Sequence, residues 1–102
     1  MYTLITAATS SQAYKLKNTL HSDQILVGDY LELPDLLIKS GMSIILPDPQ
    51  KSSYTHEMLA LCLDKNIDTI YPLRVEEMEN LMNAKQLFTE YNIEIRATDN
   101  EI

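Results

Sequence analysis

Much of what this sequence lacks is as informative as what it contains. It has one cysteine, Cys62, so an internal disulfide is excluded, and with only His21 and His56 beside it no zinc ligand set of structural type can be assembled. Cys62 lies in the run Met58-Leu59-Ala60-Leu61-Cys62-Leu63, which marks it as a packing thiol of the kind that apolar surroundings keep inert. That run is also the longest unbroken apolar stretch, far below the roughly 20 residues a membrane helix needs. Basic residues are scarce, 8 against 15 acidic, and the formal net charge of −7 repels phosphate backbones and anionic lipid. Neither nucleic acid nor a membrane is therefore expected as a partner. The start, Met1-Tyr2-Thr3-Leu4-Ile5-Thr6, lacks the basic region and apolar stretch of a signal peptide, and a cytoplasmic location is the expectation.

What the sequence does contain is a regular alternation of short β-branched strands with amphipathic, helix-length segments. With 102 residues, 45% hydrophobic and 23% charged, it has the size and mixture of one globular domain spanning 1–102. Strands are expected at Thr3–Thr6, Gln24–Gly28, Ser43–Leu46, Ile67–Tyr71 and Ile93–Ile95. Thr9 and Gln12 stand in the Thr-x-x-Gln relation of a capping box, which predicts a helix from near Ser10 that ends at His21-Ser22-Asp23, with Ala13, Leu16 and Leu20 inward. A short helix follows in Leu33–Gly41, with Pro34 in its first turn and Gly41 as its left-handed stop. Pro47-Asp48-Pro49 forces a loop. Beyond it, Tyr54, Met58, Leu61 and Cys62 recur at helical spacing up to a stop at Asn66. One last helix is expected over Val75–Tyr91, with Val75, Met78, Leu81, Met82 and Phe88 on its inner stripe, and a polar tail from Arg96 onward.

Strands alternating with helices imply a five-stranded parallel sheet in a three-layer α/β domain. Right-handed crossovers leave two common strand orders, 3-2-1-4-5 as in Rossmann-like domains and 2-1-3-4-5 as in flavodoxin-like ones. Periodicity does not choose between them. In either order a ligand would lie at the carboxyl ends of the strands, which directs attention to Thr6–Ser11, Asp29 and Tyr30, Pro47–Ser53 and Pro72–Glu77.

The candidate site residues there are Thr9, Ser10, Ser11, Asp29, Arg74 and Glu77. The loop Ala7-Ala8-Thr9-Ser10-Ser11 holds no glycine, so backbone amides cannot approach a pyrophosphate as they do in dinucleotide folds, and no cofactor is expected. Its hydroxyl side chains either cap the following helix or form a small anion site. Asp29 falls where a ribose-binding acid would sit. Arg74 follows Tyr71-Pro72-Leu73 and precedes an acidic helix start, so it either pairs with Glu77 or Glu76 or serves as an anion-binding or interface arginine. A phosphate-receiver reading finds no acids in Thr6-Ala7-Ala8, and Asp48 between two prolines is a turn aspartate. No Ser/His/Asp or Cys/His arrangement is present, His21 and His56 have the neighbours of solvated side chains, and no catalytic or metal-binding residue is assigned.

The order of segments resembles the pre-ATP-grasp domain, the Rossmann-like N-terminal domain of ATP-grasp ligases, particularly of proteins similar to the carbamoyl-phosphate synthase large subunit. The likeness is carried by Leu46-Pro47-Asp48-Pro49, then Tyr54, Leu59–Leu63 and Lys65-Asn66-Ile67-Asp68-Thr69-Ile70-Tyr71-Pro72-Leu73. It continues through Glu76–Leu81, Asn83–Phe88 and Tyr91–Ile95, and covers nearly the whole chain. The resemblance implies the 3-2-1-4-5 order. The sequence departs from it at Ala7, Ala8 and Thr9, where the family has glycines, and no ATP or metal residue carries over. What it implies is a non-catalytic, stand-alone binding module that pairs with itself as a homodimer or with a separate ATP-grasp protein. A small enzyme or binder of an anionic ligand, using the cleft around Ser10, Asp29, Arg74 and Glu77, is the alternative, and a flavodoxin-like receiver or carrier the third.

Overall fold

The computed structural model describes residues 1–20, 24–33, 35–39 and 43–96. The expected helix end at His21-Ser22-Asp23, Pro34 in a first turn, the Gly41 stop and all of the tail beyond Arg96 lie outside the described residues. The chain runs β1 (Tyr2–Ile5), α1 (Ser11–Leu20), β2 (Ile25–Asp29), α2 (Asp35–Lys39), β3 (Ser43–Ile45), α3 (Tyr54–Asp64), β4 (Ile67–Tyr71), α4 (Val75–Asn83), α5 (Lys85–Glu90) and β5 (Glu94–Ile95). The five strands form one parallel sheet in the order β3-β2-β1-β4-β5. This is the Rossmann-like order, and it excludes the flavodoxin-like alternative, because β1 is flanked by β2 and β4 and not by β3.

Alternation along the central strands divides the core in two. Leu4 and Ile70, cross-strand partners, face the layer of α3, α4 and α5, where they pack with Tyr54, Met58, Cys62, Leu81 and Phe88. Ile5 and Val27, likewise partners, face the layer of α1, where they meet Ala13, Leu16 and Leu73. Cys62 is wholly buried, and burial pushes its thiol up to about 12, as a packing role requires. Asn66 takes the left-handed conformation (φ 57°) that ends the α3 unit and leads into β4. No helix among the described residues is long and apolar enough to cross a membrane.

Two expectations need correction. The Val75–Tyr91 segment is not one helix: it breaks at Ala84 into α4 and α5, which resets the helical phase. The inner face of α4 is consequently Glu77 and Leu81, both fully buried, while Val75 (43%) and Met82 (40%) are exposed. The capping box is also absent. The Thr9 side chain is committed to Asp29, and α1 begins at Ser11, with the Ser10 hydroxyl turned back to the Ala7 carbonyl at 2.9 Å.

Candidate functional site

The carboxyl ends of β1, β2 and β4 bring four of the six candidate residues into one neighbourhood. Asp29 is the last residue of β2 and is wholly buried. A buried carboxylate must be hydrogen-bonded and paired if it is to stay charged. Arg74, between β4 and α4, supplies the charge: its Nη2 donates to Asp29 Oδ2 at 2.9 Å and to Oδ1 at 3.1 Å. Thr9 supplies two further donors to Oδ2, its backbone N–H at 3.0 Å and its hydroxyl at 2.7 Å, and the same hydroxyl accepts from Arg74 Nη2 at 3.1 Å. Leu31 N–H donates to Oδ1 at 3.3 Å. Burial alone would raise the carboxyl of Asp29, yet the bonds from Arg74, Thr9 and Leu31 together hold it below the ordinary carboxylate range. The guanidinium carbon of Arg74 lies 5.1 Å from the centre of the Tyr30 ring, a cation–π distance.

The loop that delivers Thr9 is shaped by Ala7, whose φ of 58° lies in the left-handed region. Glycine is the residue that occupies this conformation without cost, so the turn expected of a glycine-bearing loop persists here on an alanine. The loop is also pinned from outside, by Ala8 N–H to the Gly28 carbonyl at 2.9 Å.

Glu77, in the first turn of α4, forms a second buried cluster. Its Oε2 accepts from the Tyr54 hydroxyl at 3.0 Å, and its Oε1 is buried without a hydrogen-bond partner of normal geometry. Thr6 sits at the junction: its hydroxyl accepts the Leu73 N–H at 2.8 Å and helps to stabilise the ionised glutamate. Desolvation outweighs the help of Tyr54 and Thr6, and with the nearby Asp29 charge acting against Arg74 it pushes Glu77 up to about 7. Burial and the facing Glu77 carboxylate drive the Tyr54 phenol in the same upward direction.

Arg74 is thus paired with Asp29, in place of the Glu77 or Glu76 pairing open from the sequence. Ser10 turns into its own loop, and Ser11 is the exposed first residue of α1. His56 is exposed on α3, remote in kind from any catalytic constellation, and Asp48 is a turn residue that accepts Gln50 N–H at 2.9 Å. No group of three His, Cys, Asp or Glu side chains that could hold a metal ion occurs among the described residues. The sequence directs attention to Thr6 and Tyr30 at the strand ends without marking them as site residues, and Tyr54 was missed. For Glu77 and Tyr54 the signal was present: Leu73, Glu77 and Leu81 are spaced by four, which puts the glutamate on an apolar stripe, and a buried tyrosine hydroxyl calls for a polar partner. No protein-family model matches the chain, and no curated protein matches it.

A different feature lies at the β3 edge of the sheet, lined from both α2 and α3. There Tyr2, Leu26, Ile38, Ile44, Ile45 and Leu61 line an open groove of about 430 Å³, and among the described residues its one charged lining side chain is Lys65. Ile45 in the edge strand is 64% exposed.

Proposed function

We propose that this domain is a non-catalytic binding module of the pre-ATP-grasp type, and that it associates through its β3 edge with a second copy of itself. The observation that carries this reading is the groove along β3. Edge strands offer unpaired backbone groups to another chain, and natural proteins usually protect them with charge, proline or a covering element. Here the edge carries a 64% exposed isoleucine, and among the described residues no acidic side chain lines the groove, the nearest acids being Asp48 and Glu57 in the adjoining hollow that shares Ile45. In a molecule of net charge −7, two copies repel over most of their surface, so a contact between them needs a patch free of acids. A two-fold contact would place the same groove on both sides.

The strand-end cluster supports the non-catalytic part of the reading. Asp29 is buried and held by Thr9, Leu31 and Arg74, and Glu77 is fully buried, so neither carboxyl group is presented to a substrate. A cytoplasmic location fits the single cysteine, kept as a buried thiol.

Sedimentation equilibrium at tens of micromolar tests the association. A dimer that Ile45→Lys converts to monomer supports the proposal. A wild-type monomer rejects the homodimer, and in that case recovery of an ATP-grasp ligase with the tagged chain from its own cells would leave the module reading standing with a separate partner.

A further inference from the structure

The Glu77 cluster does something that no docking reading needs. Glu77 sits in the first turn of α4, three residues after Arg74, and it is held from three other elements: the Tyr54 hydroxyl from α3, Thr6 just beyond β1, and the Asp29–Arg74 pair at the end of β2. Its Oε1 is buried and makes no hydrogen bond of normal geometry. We propose that Glu77 is a proton-operated pin: protonated, it fastens the first turn of α4 to α3 and β1, and ionised, it loosens that turn together with the Arg74 clasp on Asp29.

The geometry gives the direction. A protonated Glu77 can accept from Tyr54 at one oxygen and is no longer an unpaired charge in the core, so its buried position is tolerated. An ionised Glu77 is helped only by the Tyr54 and Thr6 hydroxyls, faces the like charge of Asp29, and has Arg74 already engaged elsewhere. Its simplest relief is for the first turn of α4 to open and bring the carboxylate to water. Because Arg74 is the residue immediately before that helix, opening the turn also draws the guanidinium away from Asp29 and Thr9.

The sign follows from linkage. In the opened turn Glu77 has the ordinary carboxylate value of 4.5, and in the closed one about 7, so the closed form binds the proton more tightly. Its stability is therefore greatest below 4.5, falls as pH rises, and has lost this contribution once pH passes about 7. The charged and titratable groups facing Glu77 are Tyr54, Asp29 and Arg74; Asp29, held low, and Arg74, held high, keep their charge throughout that window.

Amide hydrogen exchange on the full chain tests the pin, with wild type and Glu77→Gln compared at the same pH so that intrinsic exchange rates cancel. From pH 6 to pH 8 the opening of the Met78 amide, which donates to the Arg74 carbonyl at 2.9 Å, should rise about ten-fold more in wild type than in Glu77→Gln. The amides of Leu4 and Ile5 in the central strand should not share that difference. Equal responses in the two proteins overturn the proposal, and so does a response that spreads equally into β1, since that is global destabilisation. Tyr54→Phe gives an independent measure if Glu77→Gln does not fold: losing the donor to the ionised carboxylate should raise the closed-form value further, so that the rise in opening continues to higher pH before it levels off, and a rise that levels off where wild type does overturns the pin.

Discussion

Arg74 reaches back across the carboxyl end of β1 to close on Asp29, its Nη2 2.9 Å from Oδ2, and thereby ties the exit of β4 to the exit of β2. β1 lies between those strands, and Thr9, on the loop that leaves it, is bonded to both members of the pair. The three central strand ends are therefore fixed by a single charge pair and one hydroxyl. In a dinucleotide-binding fold this is where backbone amides face a ligand, and here the same space is filled by the protein's own side chains.

Breaking this pair from one side should cost more than removing both charges. Arg74→Ala leaves Asp29 buried with its remaining donors but no counter-charge, and a loss of about 3 kcal/mol is expected from urea unfolding. Asp29→Asn combined with Arg74→Ala removes the stranded charge, and the double variant should be more stable than Arg74→Ala alone. The pH behaviour should differ too. In wild type Asp29 is held below its usual value, so its stabilising contribution is present above 3.8 and is lost only as pH falls through the depressed value. In Arg74→Ala, burial acts without its chief opponent, and the carboxyl should titrate higher. A double variant as unstable as the single would show that Arg74 contributes through packing on Tyr30 and not through Asp29.

The two faces of α4 separate cleanly in a pair of substitutions. Leu81→Asp would place a carboxylate among Leu4, Met58 and Phe88 in the fully buried core and should cost at least about 3 kcal/mol, enough to unfold a marginal domain. Met82→Asp, on the exposed side, should fall within about 0.5 kcal/mol of wild type. Thermal melts decide it. A large loss at Met82 would restore the single amphipathic helix expected from the sequence.

That pair also shows where the sequence was legible. Strand positions followed from β-branched runs between turn residues, and the α/β class from their alternation with helices, because both depend on local periodicity. The 3-2-1-4-5 order did not follow from periodicity. It entered only through resemblance, since Leu4 and Ile70 are cross-strand neighbours brought together over a sequence separation that no local pattern encodes. The α4–α5 break was hidden because Ala84 is a good helix former, and nothing in its own chemistry announces a turn. The site was half visible. Asp29, Thr9 and Arg74 were each suspected from their places at strand ends, yet their mutual bonding, like the Thr6 and Tyr54 contacts of Glu77, is a property of the folded neighbourhood.

Ala7 offers a test of the loop itself. Replacing it by glycine relieves roughly 1 kcal/mol of left-handed strain but gives up a buried methyl worth about 0.8 kcal/mol and frees the unfolded chain. These nearly cancel, so Ala7→Gly should change stability by less than about 1 kcal/mol. Ala7→Val has no such compensation, because a β-branched side chain is a strong outlier at φ 58°, and it should cost at least about 2 kcal/mol. If Ala7→Val melted with wild type, the left-handed turn would not be what positions Thr9.

Gly28 tests the seam between β2 and β3 by a different route, since the constraint there is space. A Cβ at this position would lie 2.9 Å from the Ile44 carbonyl oxygen and 2.9 Å from Cγ and Cδ2 of Leu46. The leucine is itself packed in the core and the carbonyl belongs to the backbone of the neighbouring strand, so β3 itself has to move. Overpacking of this kind costs about 1–3 kcal/mol. Gly28→Ala should therefore lower the urea midpoint, and the loss should be concentrated in faster exchange of the β3 amides while those of β1 and β4 keep their protection. Because β3 is the edge proposed for self-association, the same variant should weaken the dimer more than it weakens the fold. Uniform loss of protection across all five strands would mean that β3 is not the separable edge its groove and exposed Ile45 make it.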